Sequence, residues 1–206
     1  MQPPATTPRI NAPRLGDDGF VVEGLVTTVG VDGRVNIAPM GPIVDADWQS
    51  LLFRPFPGSQ THANLLRDGQ GVFHVTDDVE LIAATALGSA PSPQSLEALP
   101  DGKGFVLTDA CRWYAFEIID RRVGSDRPEW LAQVTQRRFL REFIGFNRAK
   151  AAVVELTILA TRKDRLARNA IEAALQSLEP TVRKTGSAAE LRAWKFVCDY
   201  LSEPTP

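Results

Sequence analysis

From Gly19 to about Leu87 the chain consists of short runs of β-branched and apolar residues separated by turn residues, a pattern that predicts strands. VVEGLVTTVG is the first run, and VDGRVNIA after it carries Asp32-Gly33, a strong hairpin turn. QSLLFR, GQGVFHVT and DVELIAATAL continue the series as further strands. Between two of them, GSQTHANLLRDG predicts a short helix to Arg67, with Ser59 or Thr61 as its cap and Asp68-Gly69 closing it. Residues 88–103 are expected to be loop. A longer strand is expected from Cys111 to Arg122, then a turn at Gly124-Ser125-Asp126, then a strand over WLAQVTQRRF. From Asn147 the spacing changes to a helical one. NRAKAAVVELTILAT, Asp164 to Leu178 and Ser187 to Leu201 predict three helices, the last two separated by Glu179-Pro180 and Lys184-Thr185-Gly186. Most connections between the strands are too short for crossover helices, which favours antiparallel order.

The expected organisation is therefore an N-terminal arm over residues 1–16, a β body over 17–145 and a helical part over 146–206. The arm, MQPPATTPRINAPR, is Pro-rich and poor in apolar residues, so it lacks the apolar core of a signal peptide. With 44% hydrophobic residues and a formal net charge of −2, the chain can bury a core and lacks the basic surplus of a nucleic-acid binder. No apolar run is long enough to span a bilayer. The two cysteines, Cys111 and Cys198, do not make a disulfide scaffold, and with only His62 and His74 there is no metal-spaced cluster. These features lead us to expect a cytoplasmic protein with no membrane or nucleic-acid partner and no metal.

Motifs that carry chemistry through side chains are missing. There is no dinucleotide fingerprint, no phosphate loop, no nucleophile elbow and no HExxH; Asp101-Gly102-Lys103-Gly104 lacks the first glycine and the hydroxyl of a phosphate loop. A protein whose reactivity resides in a cofactor needs none of them. Two stretches suit such a cofactor. Phe53 to Asn64 gathers Arg54, Gly58, Ser59, Gln60, Thr61, His62 and Asn64 where a strand gives way to a helix N-terminus, whose free N–H groups and dipole favour an anion. The same residues read equally well as plain helix caps and a surface cation. In the second stretch, Thr27-Thr28 precede the hairpin and Asn36 to Pro42 follow it; Pro39 and Pro42 end a ladder and leave backbone groups unpaired on one side.

Together, the Asp32-Gly33 hairpin, Asn36-Ile37-Ala38-Pro39, the pattern Ser59-x-Thr61-x-x-Asn64-Leu65 and the apolar strand Gly71 to Val75 resemble the FMN-binding split barrels. That superfamily includes the flavin reductases. The run Gly145-Phe146-Asn147-Arg148-Ala149-Lys150 and the AAVVELTILATR after it resemble a narrower branch with a helical C-terminal extension. The resemblance implies an α+β, mainly antiparallel fold: a six-stranded Greek-key barrel with that extension, dimerising around FMN. It implies Ser59, Thr61 and Asn64 at the phosphate with Arg54 added, and Asn36, Ala38, Pro39 and Met40 along the isoalloxazine, largely through backbone atoms. It names no catalytic residue, and no nicotinamide-binding signature is present. An FMN-dependent oxidoreductase, a flavin binder without turnover and a dimeric interaction module without cofactor all remain open.

The remaining polar residues have structural readings beside functional ones. His74 alternates with Phe73 and Val75, as an interior or interface histidine does. Asp77-Asp78 reads as an acidic ligand pair or, better by its turn chemistry after Thr76, as a turn. Trp113 and Tyr114 are expected on opposite faces of one strand. Arg148 and Lys150 open a helix where cations oppose its dipole, which calls for a carboxylate partner or an anionic ligand. Glu155 is expected to make an ion pair with Arg148 or Arg162.

Overall fold

The computed structural model describes residues 12–89, 95–122 and 127–203. Ten strands and five helices follow in order: β1 (Gly19–Val21), β2 (Gly24–Val29), β3 (Val35–Met40), β4 (Ile43–Asp45), β5 (Ser50–Phe53), α1 (Gln60–Asp68), β6 (Gln70–Val75), α2 (Val79–Ala86), β7 (Leu96–Ala98), β8 (Phe105–Leu107), β9 (Arg112–Arg122), β10 (Glu129–Phe139), α3 (Arg148–Ala160), α4 (Arg168–Thr185) and α5 (Ala188–Ser202). Eight strands form one antiparallel sheet in the order β1-β4-β5-β10-β9-β6-β2-β3, and β7 pairs only with β8. The α+β, mainly antiparallel class holds; the main sheet has eight strands where six were expected.

The sheet curls on itself. Val26, Val44, Leu51, Phe53, Phe73, Tyr114, Phe116, Trp130 and Ala132 come from six different strands, yet form one buried cluster with Leu65 of α1. That convergence defines the concave face. Trp48, in the β4–β5 connection, lies on the same cluster and stacks on Tyr114 at 4.4 Å. Trp113, one residue along from Tyr114, packs on the convex face against Val72, Leu99, Val106 and Ala115, so the two rings do point to opposite faces.

On the convex face lies the main departure from the strand expectation. Val79 to Ala86 is a helix, not a strand. Asp78 caps it by accepting from the Leu81 N–H at 2.9 Å. Its composition, ELIAATA, is favourable to helix, and both its faces are buried, so the continuous apolar run that suggests a strand here marks a sandwiched helix. One face packs Leu81 and Ile82 against Leu25, Leu107 and Ala110; the other packs Val79 and Ala83 against α3 and α5. Asp77-Asp78 is accordingly a helix start, not a turn. The segment 88–103, expected to be loop, contains β7; its residues 90–94 and the turn expected at 124–126 lie outside the described residues. The arm is described only from Ala12, and there it is packed: Ala12 touches Ile43, Leu52 and Leu131.

The helices match the 3.6-residue spacing, with two shifts. A 3₁₀ turn over Lys163–Arg165 delays the start of α4 to Arg168. Pro180 does not end α4, which runs on to Thr185. Fully buried Val182 holds the turn beyond it, and the Glu179–Arg183 pair spans the proline. Lys150 finds its carboxylate in Glu190. Glu155, in contrast, is exposed and makes no ion pair among the described residues; its charge reaches Glu23 instead. Among the described residues no helix is long and apolar enough to cross a membrane.

A donor-rich cradle at the start of α1

Strand β5 ends at Phe53, and Pro55 and Pro57 force an extended exit before the chain turns at Gly58, whose φ of +82° suits glycine. Ser59 then caps α1, its Oγ accepting from the His62 N–H at 3.1 Å. The first turn has no acidic residue to neutralise the helix dipole, and the N–H groups of Gln60 and Thr61 have no intrahelical acceptor.

The β2–β3 hairpin brings its polar pair against this end. Its turn includes Gly33 at φ +77°, and the Gly30 N–H bonds the Arg34 carbonyl at 2.8 Å. The register then places Thr28 opposite Asn36 on the concave face. Asn36 Nδ2 donates to Thr28 Oγ1 at 3.2 Å and to Thr61 Oγ1 at 3.0 Å. Asn64 Nδ2 donates to the same Thr28 oxygen at 2.9 Å, and Gln60 Nε2 donates to Asn64 Oδ1 at 2.7 Å. Thr28, Thr61 and Asn64 are buried.

Counting protons shows what the cluster offers. A hydroxyl offers one proton and two lone pairs. Both lone pairs of Thr28 are occupied by amides, Thr61 also accepts, and among the described residues neither hydroxyl proton has an acceptor. The second amide protons of Asn64 and Gln60 and the helix N–H groups add to the surplus. A group bearing several acceptor oxygens matches this set of donors. A phosphate monoester is such a group.

Of the residues singled out in sequence, Asn36, Ser59, Thr61 and Asn64 thus meet in one place. Arg54 is half-buried and makes no hydrogen bond or ion pair among the described residues; strand alternation directs it to the face of Leu52, away from Phe53. Ala38 and Met40 share the concave face with Asn36, and Met40 touches the main core. Pro39 lies on the convex side with Ile37, which packs under α2. Thr28 and Gln60 lie in the two stretches singled out in sequence but had no role of their own there. The signal for Thr28 was its position opposite Asn36 across a hairpin whose turn was recognised.

Among the described residues β3 is a sheet edge, paired only with β2. Counting pairs from Gly30–Arg34, alternation makes Thr28–Asn36, Val26–Ala38 and Gly24–Met40 the hydrogen-bonded pairs. The outward backbone groups are therefore those of Val35, Ile37 and the Pro39 carbonyl. Beyond the strand, the Glu23 carboxylate lies over Gly41, where a Cβ would come within 2.8 Å of Oε1. Burial first, and then the charge of Glu155, push the Glu23 carboxyl up from its ordinary value. His74 is not part of this site. It is fully buried on the convex side, accepts from the Leu107 N–H through Nε2 at 3.0 Å and faces the Leu25 carbonyl through Nδ1 at 3.2 Å, which fixes the neutral ring with its proton on Nδ1.

Fold and cradle together define a curled, mainly antiparallel half-barrel protein with a donor-rich helix end beside a strand edge, backed by a helical layer. The chain belongs to the family described as protein of unknown function (DUF447): its N-terminal domain matches residues 22–141, and the following part of the family matches residues 147–199. A crystal structure of an FMN-bound protein of this family from Methanosarcina mazei is similar at 25% identity and a TM-score of 0.76, over 87% of this chain and 94% of that one. An FMN-binding protein from Thermus thermophilus with bound p-hydroxybenzaldehyde is 19% identical at a TM-score of 0.48, over 66% of this chain and 82% of the other. The styrene monooxygenase flavin reductase from Pseudomonas putida S12 is 14% identical at 0.46, over 58% and 81%. No curated protein matches the chain in sequence.

Proposed function

We propose that the protein holds FMN noncovalently and uses it in a redox step on a small organic molecule. The observation that carries this reading is the donor surplus at the start of α1, and the FMN-bound relative from M. mazei supports it. In this reading Ser59, Thr61 and Asn64 hold the phosphate with the helix N–H groups behind them. Thr28 fixes the amides that orient the cradle, and Arg54 adds long-range positive charge. The ring lies along β3, with Asn36, Ala38 and Met40 on one side of the strand and the outward groups of Val35, Ile37 and Pro39 available to its polar edge. FMN, when bound, supplies hydride transfer; the protein's part is to orient the ring, exclude water and present donors to the edge that gains charge. No side chain is assigned as the proton donor.

The reading includes a homodimer. Phe143, Ile144 and Phe146, in the strap from β10 to α3, are 40%, 69% and 112% exposed, and Phe139 just before them is 59% exposed. Such a concentration of exposed apolar side chains supports that part of the reading.

The deciding experiment is a visible spectrum of the purified protein before and after incubation with FMN and desalting. A retained flavin band that is lost in the Ser59→Ala/Thr61→Ala protein supports the reading. No retained flavin in the parent protein sinks it.

A further inference from the structure

We propose that the mouth of the concave face carries a binding site for a small aromatic carboxylate, with Arg112 and Arg137 as its cations and Trp48 and Phe20 as its apolar wall. The site is separate from the cradle and does not rest on the FMN reading. It begins with strain. Among the described residues Trp48 is the one non-glycine at positive φ, +55°, a conformation that bulky residues rarely adopt. Asp45 over-determines it. Its carbonyl accepts from the Trp48 N–H at 3.1 Å, and its Oδ1 accepts from the N–H groups of Gln49 and Ser50, both at 2.9 Å. Backbone strain held in this way clusters at binding and catalytic sites.

The turn carries the indole across the open side of the curled sheet. Phe20, on edge strand β1, shares the concave face with Val44, Leu51 and Ala132 by register, and Tyr114 of β9 lies on the same face. Trp48 joins the two. It stacks on Tyr114 at 4.4 Å with planes at 12°, while Phe20 stands edge-on to it at 6.5 Å and stays 47% exposed. The Arg112 guanidinium lies 5.3 Å from the centre of the indole. Arg137 stands opposite Tyr114 in the β9–β10 register and donates to the Asp47 carbonyl at 3.0 Å. Burial pushes the Tyr114 hydroxyl up from its ordinary value and the charges of Arg112 and Arg137 oppose it, so both guanidinia approach the same phenol.

Neither arginine has a carboxylate within ion-pair distance among the described residues. Asp47 meets Arg137 through its carbonyl, and Asp45 Oδ1 is taken by backbone N–H groups. Two like charges gathered at one place repel, and a guanidinium fork matches a carboxylate. An anion between them relieves the repulsion, and the aromatic surface beside them takes an apolar body. The register runs Ala38, Val26, Phe73, Tyr114 across the sheet, which puts Arg112 toward the Met40 end and the cradle at the Asn36 end.

The test is calorimetric titration of the full chain with benzoate, benzyl alcohol and inorganic phosphate, each with and without FMN. Benzoate is expected to bind about tenfold more tightly than benzyl alcohol, the worth of one charge-assisted bond, and more tightly than phosphate. Arg137→Gln, at an exposed position that the fold tolerates, lowers benzoate affinity about tenfold and leaves benzyl alcohol unchanged. A parent protein that binds no benzoate overturns the proposal, as does an Arg137→Gln protein that binds it unchanged. Equal affinity for benzoate and benzyl alcohol removes the cations from the site, and phosphate binding as tight as benzoate removes the aromatic wall; either result overturns it. Benzoate binding abolished by FMN places benzoate in the cradle and overturns it as well. A parent protein that retains no FMN but binds benzoate with this preference sinks the flavin reading and supports this one.

Discussion

Lys150 and Glu190, on α3 and α5, meet at 2.6 Å with side chains only 17% and 3% exposed. The same ammonium donates to the Asp77 carbonyl at 2.6 Å, and the second oxygen of Glu190 takes the Ser187 N–H and hydroxyl. One cation thus ties the start of α2 to two helices of the C-terminal layer.

Removing one partner leaves a buried charge alone. Lys150→Met is expected to cost about 3–5 kcal/mol in denaturant unfolding, and Lys150→Met/Glu190→Gln less than the single change. A single change that costs no more than an exposed pair would show that solvent reaches the site.

Two acid transitions follow from the buried groups, in different pH windows. Burial, against a smaller upward pull from the Leu25 hydrogen bond, drives His74 from its ordinary 6.5 down to about 4. The unfolded chain therefore takes up a proton that the folded one refuses, and stability present above pH 6.5 is lost as pH falls toward 4, by at most about 1.4 kcal/mol per unit. Stability against urea, measured from pH 7 to 4, should show this slope in the parent and lose it in His74→Asn.

Below that window the carboxylates act. Burial raises Glu190, but hydrogen bonds from Lys150 and Ser187 outweigh it and hold the carboxyl at about 2, below its ordinary 4.5. Asp77 is held at about 2, below 3.8, first by its bond from Arg141 and then, against burial, by the Ile144 N–H. Their contribution is present above pH 4.5 and disappears as pH falls to 2. Asp77→Asn should flatten the melting-temperature profile over that range and leave the His74 window untouched.

Thr28→Val keeps the shape of the side chain but withdraws the oxygen that two amides share. The change should cost about 1–3 kcal/mol and reduce FMN retention, read together by thermal melts with and without FMN. Full retention would mean that the amides of Asn36 and Asn64 hold their places unaided.

Ile144→Asp/Phe146→Asp places charge on the exposed strap. Sedimentation should show a dimer in the parent protein and a monomer in the variant. A parent protein that sediments as a monomer would remove dimerisation from the functional reading.

The β2–β3 hairpin, the capped α1 and the long β9–β10 ribbon were legible because each has a local signal: Asp32-Gly33, Ser59 with Gly69, and sustained alternation. α2 was not, because a short helix buried on both faces lacks the polar stripe that distinguishes it from a buried strand. Pro180 misled for a related reason: the lost N–H is a local cost, while the packing of Val182 that outweighs it is tertiary. In the cradle, Ser59, Thr61, Asn64 and Asn36 were visible as hydrogen-bonding residues. That Thr28 is the oxygen joining them depends on the register of a hairpin against a helix distant in sequence, which no spacing rule encodes.

Pro39 stands in the outermost strand at a position whose nitrogen points away from β2, and that nitrogen carries no hydrogen. A bare strand edge ordinarily invites another chain to zip along it, which makes it an aggregation hazard. Here the row of outward donors stops at Ile37, so a passing strand finds a broken template while a compact ligand, needing only a few contacts, does not notice the gap. The same missing proton that makes proline a poor strand residue keeps this edge open without making it sticky.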